Sequence, residues 1–260
     1  MARVMSDRYG GPATRMSNKS SRAGCDGHRP RKPSAFSAVD QVDKGHGGLF
    51  SRTVKLDDCG VHGPGSGAEL FLVEGDSAAA AVACVRDPAT QAVLPMQGKP
   101  LNATRASRGK VLAHPFFAPL VAALDVGVEA GCDPRRLRYE RVLVLTDPDA
   151  DGIHCGFLVL LFFHRWLRPL LDAGRVEVVR PPWGAVVVAG RSTLAFSEPE
   201  LALLADRAGP RGERVVRRFR GLAALESAML RDTCIAAGTR RTSPVSAADV
   251  AAMIDVVAHL

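Results

Sequence analysis

Three aspartates lie at alternate positions directly after an apolar run. The stretch VLVLTDPDADGIH, residues 142–154, places Asp147, Asp149 and Asp151 behind four aliphatic residues and a threonine. Carboxylates this close repel one another, so a cation must neutralise them or the protein must use their charge. Mg²⁺ prefers carboxylate oxygens and keeps waters for a phosphate ligand. The pattern therefore predicts a magnesium site.

A fourth acid occupies a matching position earlier in the chain. Glu74 ends the apolar run in ELFLVEG, residues 69–75. In open parallel sheets, ligands bind beyond the carboxyl ends of the strands. If the two apolar runs are neighbouring strands, we expect Glu74 to share one pocket with the three aspartates. Asp76 and His154 would then lie close by.

A calcium loop and a helix cap are the alternatives to a magnesium site. DPDADG has acids at positions 1, 3 and 5 and glycine at 6, as in an EF-hand calcium loop, but position 12 is Leu158 instead of glutamate. An aspartate-rich turn also commonly opens a helix, and Asp151 could cap one at 152–171. Capping accounts for one or two acids, and three together with Glu74 favour a metal.

Strand and helix patterns alternate along the middle of the chain. Short apolar runs predict strands, and longer amphipathic or buried runs predict helices, the first of them capped by Ser77. The strands are predicted at 69–75, 91–96, 141–146 and 175–179, and the helices at 77–86, 115–129 and 152–171. This alternation predicts an α/β domain with a mostly parallel sheet flanked by helices. Continuous apolarity at 142–145 predicts a central strand that is covered on both faces.

The two ends of the chain differ from this middle. Residues 1–46 are rich in Ser, Gly, Pro and basic residues without hydrophobic periodicity, which predicts a disordered arm. After Pro182 the pattern weakens, with an edge strand predicted at 185–190 and helices at 198–207 and 247–260. We therefore divide the chain into an arm (1–46), a main domain (47–183) and a tail (184–260).

The charge balance favours a polyanionic partner. The chain has a formal net charge of +7 and a pI near 9.4, with basic stretches in 1–50 and 211–221. Nucleic acid is the first candidate, although both stretches could be ordinary solvated surface. Six cysteines without a C-x-x-C pair disfavour a zinc site or a disulfide framework. With no signal peptide, and an apolar run at 157–163 too short to span a bilayer, we expect a soluble cytoplasmic protein and no membrane partner.

Three motifs together resemble one family. ELFLVEGDSAAAA (69–81), QAVLPMQGKPLNATRA (91–106) and the stretch from RYERVLVLTDPDADG to VVRPPW (138–183) follow one another in the order and spacing of the TOPRIM region of type IIA DNA topoisomerase B subunits. That class contains the B subunits of DNA gyrase and topoisomerase IV. The resemblance covers about 47–260 and implies a TOPRIM-type fold with a divergent C-terminal tail.

The resemblance also implies roles for particular residues. Glu74 would be an acid/base and metal ligand, and Asp147, Asp149 and Asp151 would hold Mg²⁺ beside a DNA phosphate that is transferred to a tyrosine. Asp76, Ser77 and His154 would support this site. The DNA-proximal segments QGKPLN and RRFRGL of the family pattern supply four further residues, Lys99, Asn102, Arg218 and Arg220.

The chain departs from the family pattern in several places. Neither Tyr9 nor Tyr139 is a credible nucleophile, so a tyrosine-bearing A-type subunit would have to supply one. Fewer than 50 residues precede the match, so we expect any ATPase function to reside in a separate chain. Pro148 stiffens the loop between two metal aspartates. Gln97, Pro100 and residues 223–225 also differ from the family, which predicts intact metal binding and weakened DNA handling.

The leading hypothesis is a truncated gyrase-B-like TOPRIM protein that binds Mg²⁺ and DNA in the cytoplasm, at the nucleoid. It would support cleavage and rejoining of DNA together with an A-type subunit. One alternative is a non-catalytic decoy or regulator that binds a topoisomerase A subunit or DNA. Another is a free-standing TOPRIM nuclease, which the gyrase-like stretches 91–106 and 217–222 disfavour.

Overall fold

A computed structural model describes residues 55–209 and 214–258 of the chain, with side chains to residue 256. The predicted arm, residues 1–46, lies outside the described residues. The strands are β1 Glu69–Glu74, β2 Gln91–Met96, β3 Arg141–Leu145, β4 Val176–Val179, β5 Gly184–Val188, β6 Arg191–Ala195, β7 Arg214–Arg218 and β8 Thr242–Pro244. The helices are α1 Gly75–Ala83, α2 Arg108–Leu112, α3 Phe117–Leu124, α4 Ala150–Trp166, α5 Arg168–Asp172, α6 Glu198–Arg207, α7 Ser227–Leu230 and α8 Ala247–Ala258. Short 3₁₀ turns lie at Glu129–Gly131, Pro134–Arg136 and Leu222–Ala224, and a π-helical turn at Arg231–Ile235.

The main sheet has five strands in the order β2-β1-β3-β4-β8. The first four are parallel, and β8 pairs with β4 in the antiparallel direction. This confirms the predicted mostly parallel sheet flanked by helices. Because β1 and β3 are direct neighbours in parallel register, the segments that follow them begin at the same edge of the sheet.

The central strands are buried on both faces, as their continuous apolarity predicts. Leu70, Leu72, Val142 and Val144 face a core that contains the aromatic side chains of α3 and α4. The alternate residues of the same two strands face a second core with α1 and the chain after β7. Successive strand side chains point to opposite faces, so a strand that lies between two cores needs apolar residues at every position.

Three helix predictions need correction. The predicted helix at 77–86 begins at Gly75, so Ser77 lies inside it, and Glu74 occupies the cap position without a side-chain capping bond. The predicted 115–129 helix is shortened to α3, because Asp125 takes a left-handed conformation with φ of 55°. The predicted 152–171 helix begins at Ala150 and breaks at Leu167 into α4 and α5. Pro169, which lacks an N–H, lies in the first turn of α5.

The tail forms a second sheet and then returns to the first. The second sheet has the order β6-β5-β7 and is antiparallel. The strand predicted at 185–190 is present as β5, but its predicted edge position is wrong, because β5 is the central strand. β8 then completes the main sheet, and Val245, Ala247 and Val250 join the core on the α4 side. The division at residue 183 stays a prediction. In the described residues, no helix is both long and apolar enough to cross a membrane.

Candidate metal centre

The strand register brings Glu74 and the aspartates to one edge of the main sheet. Val73 of β1 lies opposite Leu145 of β3, so Glu74 is level with residue 146, one position before Asp147. Burial, followed by the charges of Asp147, Asp149 and Asp151, raises the pKa of Glu74. Glu74 is therefore close enough to all three aspartates to feel their charge, as the sequence predicts for acids at the ends of neighbouring strands.

The aspartate loop is fixed by backbone hydrogen bonds at both ends. Asp147 Oδ1 accepts the Leu222 N–H at 2.8 Å, and Asp149 Oδ1 accepts the Gly152 N–H at 2.9 Å. Asp149, and not Asp151, is thus the N-cap of α4. Capping therefore occupies one oxygen of one acid. A strand precedes the loop, so the helix–loop–helix arrangement of an EF-hand is absent from this segment.

The loop folds tightly against the start of α4. A Cβ atom on Gly152 would lie 2.2 Å from the Asp147 carbonyl oxygen, so no other residue fits without moving the loop. Pro148 is buried between the two aspartates. The fixed φ of proline and the close packing of the backbone at Gly152 restrict the loop that carries Asp147 and Asp149.

We call the four acids Glu74, Asp147, Asp149 and Asp151 the acid cluster. Asp151 is a largely exposed member of it. Its Oδ1 accepts a hydrogen bond from Lys99 Nζ at 2.9 Å, and this bond lowers the pKa of Asp151. A pocket of about 400 Å³ opens between the end of β1, the loop after β2 and the start of α4. Its lining residues are Glu74, Gly75, Met96, Gly98, Lys99, Asp151 and Cys155.

Among the described residues, each of the four carboxylates makes a hydrogen bond with one oxygen and leaves the other without a partner. Glu74 Oε1 accepts a bond from the Cys155 thiol at 3.7 Å, whereas its Oε2 is buried without a hydrogen-bond partner. In the described part of the chain, Asp147, Asp149 and Asp151 likewise each engage only Oδ1. A buried carboxylate oxygen without a partner is costly unless a cation or donor occupies the space beside it.

This donor set fits a hard divalent cation, although the side chains are not drawn together. Oxygen donors with room for water suit Mg²⁺. Among the described residues, however, no three of these four acids bring their oxygens within 4.8 Å of one another. Mutual repulsion keeps unneutralised carboxylates apart, so a bound cation would be expected to shorten these distances.

Comparison with known proteins agrees with this geometry. Residues 69–181, from β1 to just beyond β4, match the Toprim domain. The chain contains a Toprim domain. It is also similar to the DNA gyrase B subunits of Staphylococcus epidermidis, with 34% identity over 179 residues, and of Thermus thermophilus, with 39% identity over 184 residues. These alignments cover 69% of this chain, which spans about 28% of the length of either relative. The resemblance to the TOPRIM region of type IIA topoisomerase B subunits is confirmed.

A second group of potential ligands lies near the amino-terminal ends of the parallel strands of the main sheet, at the edge opposite the acids. Asp58, Cys59 and His62 bring their ligand atoms within 4.8 Å of one another. However, Arg138 Nη2 lies 2.7 Å from Asp58 Oδ2 and 2.9 Å from His62 Nε2, where a metal would have to bind. The buried Tyr139 also donates to Asp58 Oδ1 at 2.7 Å. A guanidinium already neutralises this group, so we interpret it as a structural network.

The remaining predicted site residues divide into those near the acids and those elsewhere. Exposed Asp76 lies in the first turn of α1, where Lys55 and Gln97 donate to its two carboxylate oxygens. Ser77 is exposed on the same helix. His154 is exposed one turn into α4, where its charge adds a smaller contribution to the lowering of the Asp151 pKa that is mainly due to Lys99. Of these three residues, His154 is the one whose charge has an effect on an acid of the site, Asp151, within the described part of the chain.

The four predicted DNA-binding residues have different surroundings. Lys99 lines the pocket of about 400 Å³ beside Glu74 and Asp151. Asn102 folds back on its own loop, where its Oδ1 accepts bonds from the backbone and hydroxyl of Thr104. Arg218 lies on β7 of the second sheet and pairs with Glu198 at 3.0 Å, whereas Arg220 is exposed just beyond it. Of the four, Lys99 lies beside Asp151, and Arg220 directly precedes Gly221, whose backbone packs against Asp147.

Two contacts to acids of the site, one to Asp147 and one to Glu74, were not predicted from the sequence. The backbone of Gly221 and Leu222 packs against Asp147, close enough that a Cβ on Gly221 would lie 3.0 Å from Asp147 Oδ2. The motif RRFRGL, which ends in Gly221 and Leu222 and matches the family pattern, was the available signal, although it suggested DNA contacts instead. Cys155 binds Glu74, and burial followed by Glu74 raises the pKa of its thiol to about 11. A single cysteine on an apolar helix gave no signal of this.

Proposed function

We propose that this chain is a Mg²⁺-binding, DNA-binding Toprim module that supports reversible DNA cleavage by a tyrosine-bearing A-type topoisomerase subunit. The observation that carries the proposal is the set of four carboxylates at one sheet edge, each with one oxygen that has no partner in the part of the chain that the structure describes. The net charge of +7 and the similarity to gyrase B subunits support DNA as the ligand. Since the chain spans about 28% of those relatives, the activity of the whole relative is not carried over.

The four acids would have different tasks. Glu74 is partly buried among other acids and has a raised pKa, so it holds a proton at higher pH than an ordinary carboxyl group. That property suits an acid/base beside a leaving or attacking oxygen. Asp147, Asp149 and Asp151, with Glu74, would hold Mg²⁺, which when bound stabilises negative charge on phosphate oxygens. Lys99 would orient a phosphate at the mouth of the pocket.

The nucleophile would come from another chain. Tyr139 is fully buried, and burial together with its bond to Asp58 raises its pKa, so it can neither reach nor attack a phosphate. Tyr9 lies outside the described residues. We therefore propose an A-type subunit as the source of the tyrosine, and a separate chain for any ATPase function. The site of action would be the cytoplasm, at the nucleoid, where DNA is found.

Thermal unfolding with and without MgCl₂ tests the metal site. We expect the melting temperature of the full chain to rise with Mg²⁺ or Mn²⁺. Asp147→Asn combined with Asp149→Asn should abolish the rise, because both ligands lose their charge. Asp206→Asn, an exposed acid at the end of α6, is the matched control and should respond like wild type. An unchanged metal response in the double variant would refute the site.

Cleavage of supercoiled plasmid tests the reaction. With a gyrase A-type subunit and Mg²⁺, the full chain should yield linear DNA that is covalently linked to the A-type subunit. Glu74→Gln should lower this yield by at least about 100-fold, because it removes the acid/base. Tight association with the A-type subunit without cleavage would favour the decoy function. Cleavage by the chain alone would favour a free-standing nuclease.

A further inference from the structure

Two arginines lie at the same edge of the main sheet as the acids, one strand beyond Asp147. Arg180 directly follows β4, and Arg241 directly precedes β8. The register pairs Val179 with Thr242, which places Arg180 opposite Arg241, and the Arg180 N–H donates to the Arg241 carbonyl at 2.9 Å. Because β4 runs parallel to β3, with Val178 opposite Val144, Arg180 is level with residue 146. The arginine pair thus flanks the acid cluster on the side opposite Lys99.

The charges of this pair are not neutralised within the described residues. Both side chains are exposed, and neither makes an ion pair with any acid in 55–209 or 214–258. Like charges directly opposite each other on paired strands are destabilising. The guanidinium carbon of Arg241 lies 3.7 Å from the centroid of the Phe196 ring, and this stacking holds the group in place. Two positive charges without acid partners in the described residues, one of them held in place by stacking, form an anion-binding arrangement.

The two side chains line a pocket of about 470 Å³. Arg240 and the hydroxyl residues Ser197, Thr242 and Ser243 also line it. Arg240 is 2% exposed and pairs with Glu69, yet its Nε is buried without a hydrogen-bond partner. The one acid in the lining, Glu200, accepts the Phe196 N–H at 2.6 Å with its Oε2. Guanidinium groups and hydroxyls are the donors that bind phosphate oxygens in proteins.

We propose that the pocket of Arg180 and Arg241 is a phosphate-binding subsite, which takes a backbone phosphate of the DNA strand whose reactive phosphate lies at the acids. Neighbouring strands are roughly 4.8 Å apart, so β4 lies roughly 10 Å from β1, where Glu74 is located. That separation corresponds to a few nucleotides of one strand. The subsite rests on the proposed function and extends it, since it gives the DNA a second fixed point and a direction across the sheet edge.

DNA affinity measured over a range of salt concentrations tests the subsite. Fluorescence anisotropy with a short labelled duplex, the full chain and MgCl₂ gives both the affinity and its salt dependence. Arg180→Gln with Arg241→Gln should weaken binding by about 10-fold or more and reduce the slope of log K against log salt by about 1 to 2. Arg191→Gln with Arg207→Gln, both exposed and without ion pairs in the described residues, is the matched control and should stay within about twofold of wild type.

Two further measurements separate the possible failures. Arg180→Gln alone keeps the stacking of Arg241 on Phe196 and should still reduce the salt slope by about 1, so a folding defect of the double variant cannot imitate the result. Titration with inorganic phosphate reports a free anion as ligand, and a melting-temperature rise that the double variant lacks would support that source. If neither DNA nor phosphate distinguishes the double variant from its control, the subsite is refuted. The Mg²⁺ response of the Asp147→Asn and Asp149→Asn variant independently decides the proposed function.

Discussion

Lys99 donates a hydrogen bond to Asp151, with 2.9 Å between Nζ and Oδ1, and thereby places a positive charge directly against the acid cluster. The bond joins the loop after β2 to the first turn of α4. Both side chains are largely exposed, so water and salt screen the pair and it contributes little to folding stability. A divalent cation that enters the pocket therefore competes with a weakly held lysine.

Replacing Lys99 should strengthen the response to metal. Lys99→Gln removes the competing charge and frees Asp151, so the rise in melting temperature with MgCl₂ should exceed that of wild type, while the metal-free protein should melt slightly lower. Differential scanning fluorimetry over a MgCl₂ series measures both effects. Lys110→Gln, on the exposed side of α2, is the matched control. A metal response in Lys99→Gln equal to or smaller than that of wild type would show that lysine and metal do not compete.

Gly152 should be intolerant of any side chain. A Cβ there would overlap the Asp147 carbonyl oxygen at 2.2 Å, so Gly152→Ala must move the aspartate loop. We expect a loss of about 1–3 kcal/mol in the free energy of unfolding, and loss of the Mg²⁺ response. Gly109→Ala is the control, because nothing lies within 4 Å of a Cβ on that helical glycine. It should be neutral or stabilising by up to about 1 kcal/mol in urea unfolding.

Asp58 should stabilise the fold in a pH-dependent way. Burial alone would raise its pKa, but hydrogen bonds from His62, Tyr139 and Arg138 lower it from 3.8 to about 2. A lowered carboxyl pKa contributes stability above the unfolded value of 3.8, and that stability is lost as the pH falls towards 2. Asp58→Asn should therefore cost about 1–2 kcal/mol at pH 6, a figure reduced for partial exposure, and less at pH 3. A gap between wild type and variant that does not change with pH in urea unfolding would contradict this.

Replacing one partner of the buried ion pair between Glu69 and Arg240 should lower the free energy of unfolding more than replacing both. Arg240 is 2% exposed and Glu69 is 9% exposed, and two hydrogen bonds join the start of β1 to the tail. Arg240→Met should cost about 3–5 kcal/mol, because among the described residues it leaves a buried carboxylate with the Gln91 amide as its one side-chain partner. Adding Glu69→Leu should restore most of that loss. Arg136→Met, which removes an exposed pair with Asp125, should cost less than about 1 kcal/mol.

The strands of the main sheet could be predicted where burial on both faces demands apolar residues at every position. β2 matches its predicted bounds, 91–96, and β1 and β3 each match to within one residue. β7 and β8 could not be predicted, because the side chains of β7 are mostly exposed and β8 has only three residues. The central position of β5 also depends on a partner, β7, that leaves no apolar pattern in the sequence.

The acids of the candidate site could be predicted for a similar reason. Parallel strands direct their carboxyl ends to one edge, so acids that follow two apolar runs meet if those runs are neighbours. The sequence did not indicate that Lys99 reaches Asp151, that Cys155 reaches Glu74, or that the Leu222 backbone binds Asp147. These partners are between 52 and 81 positions apart in the chain and carry no periodic signal.

The sequence by itself therefore determined the sheet class, the acidic residues and the family, because continuous apolarity and short motifs are local properties. Only the tertiary structure decided which oxygens are already bonded, which one is buried without a partner, and which arginines face each other. Those outcomes depend on strand order and register. Both are set by the packing of distant segments, and strand order brings Arg180 and Arg241 to the edge that Glu74 and Asp147 already occupy.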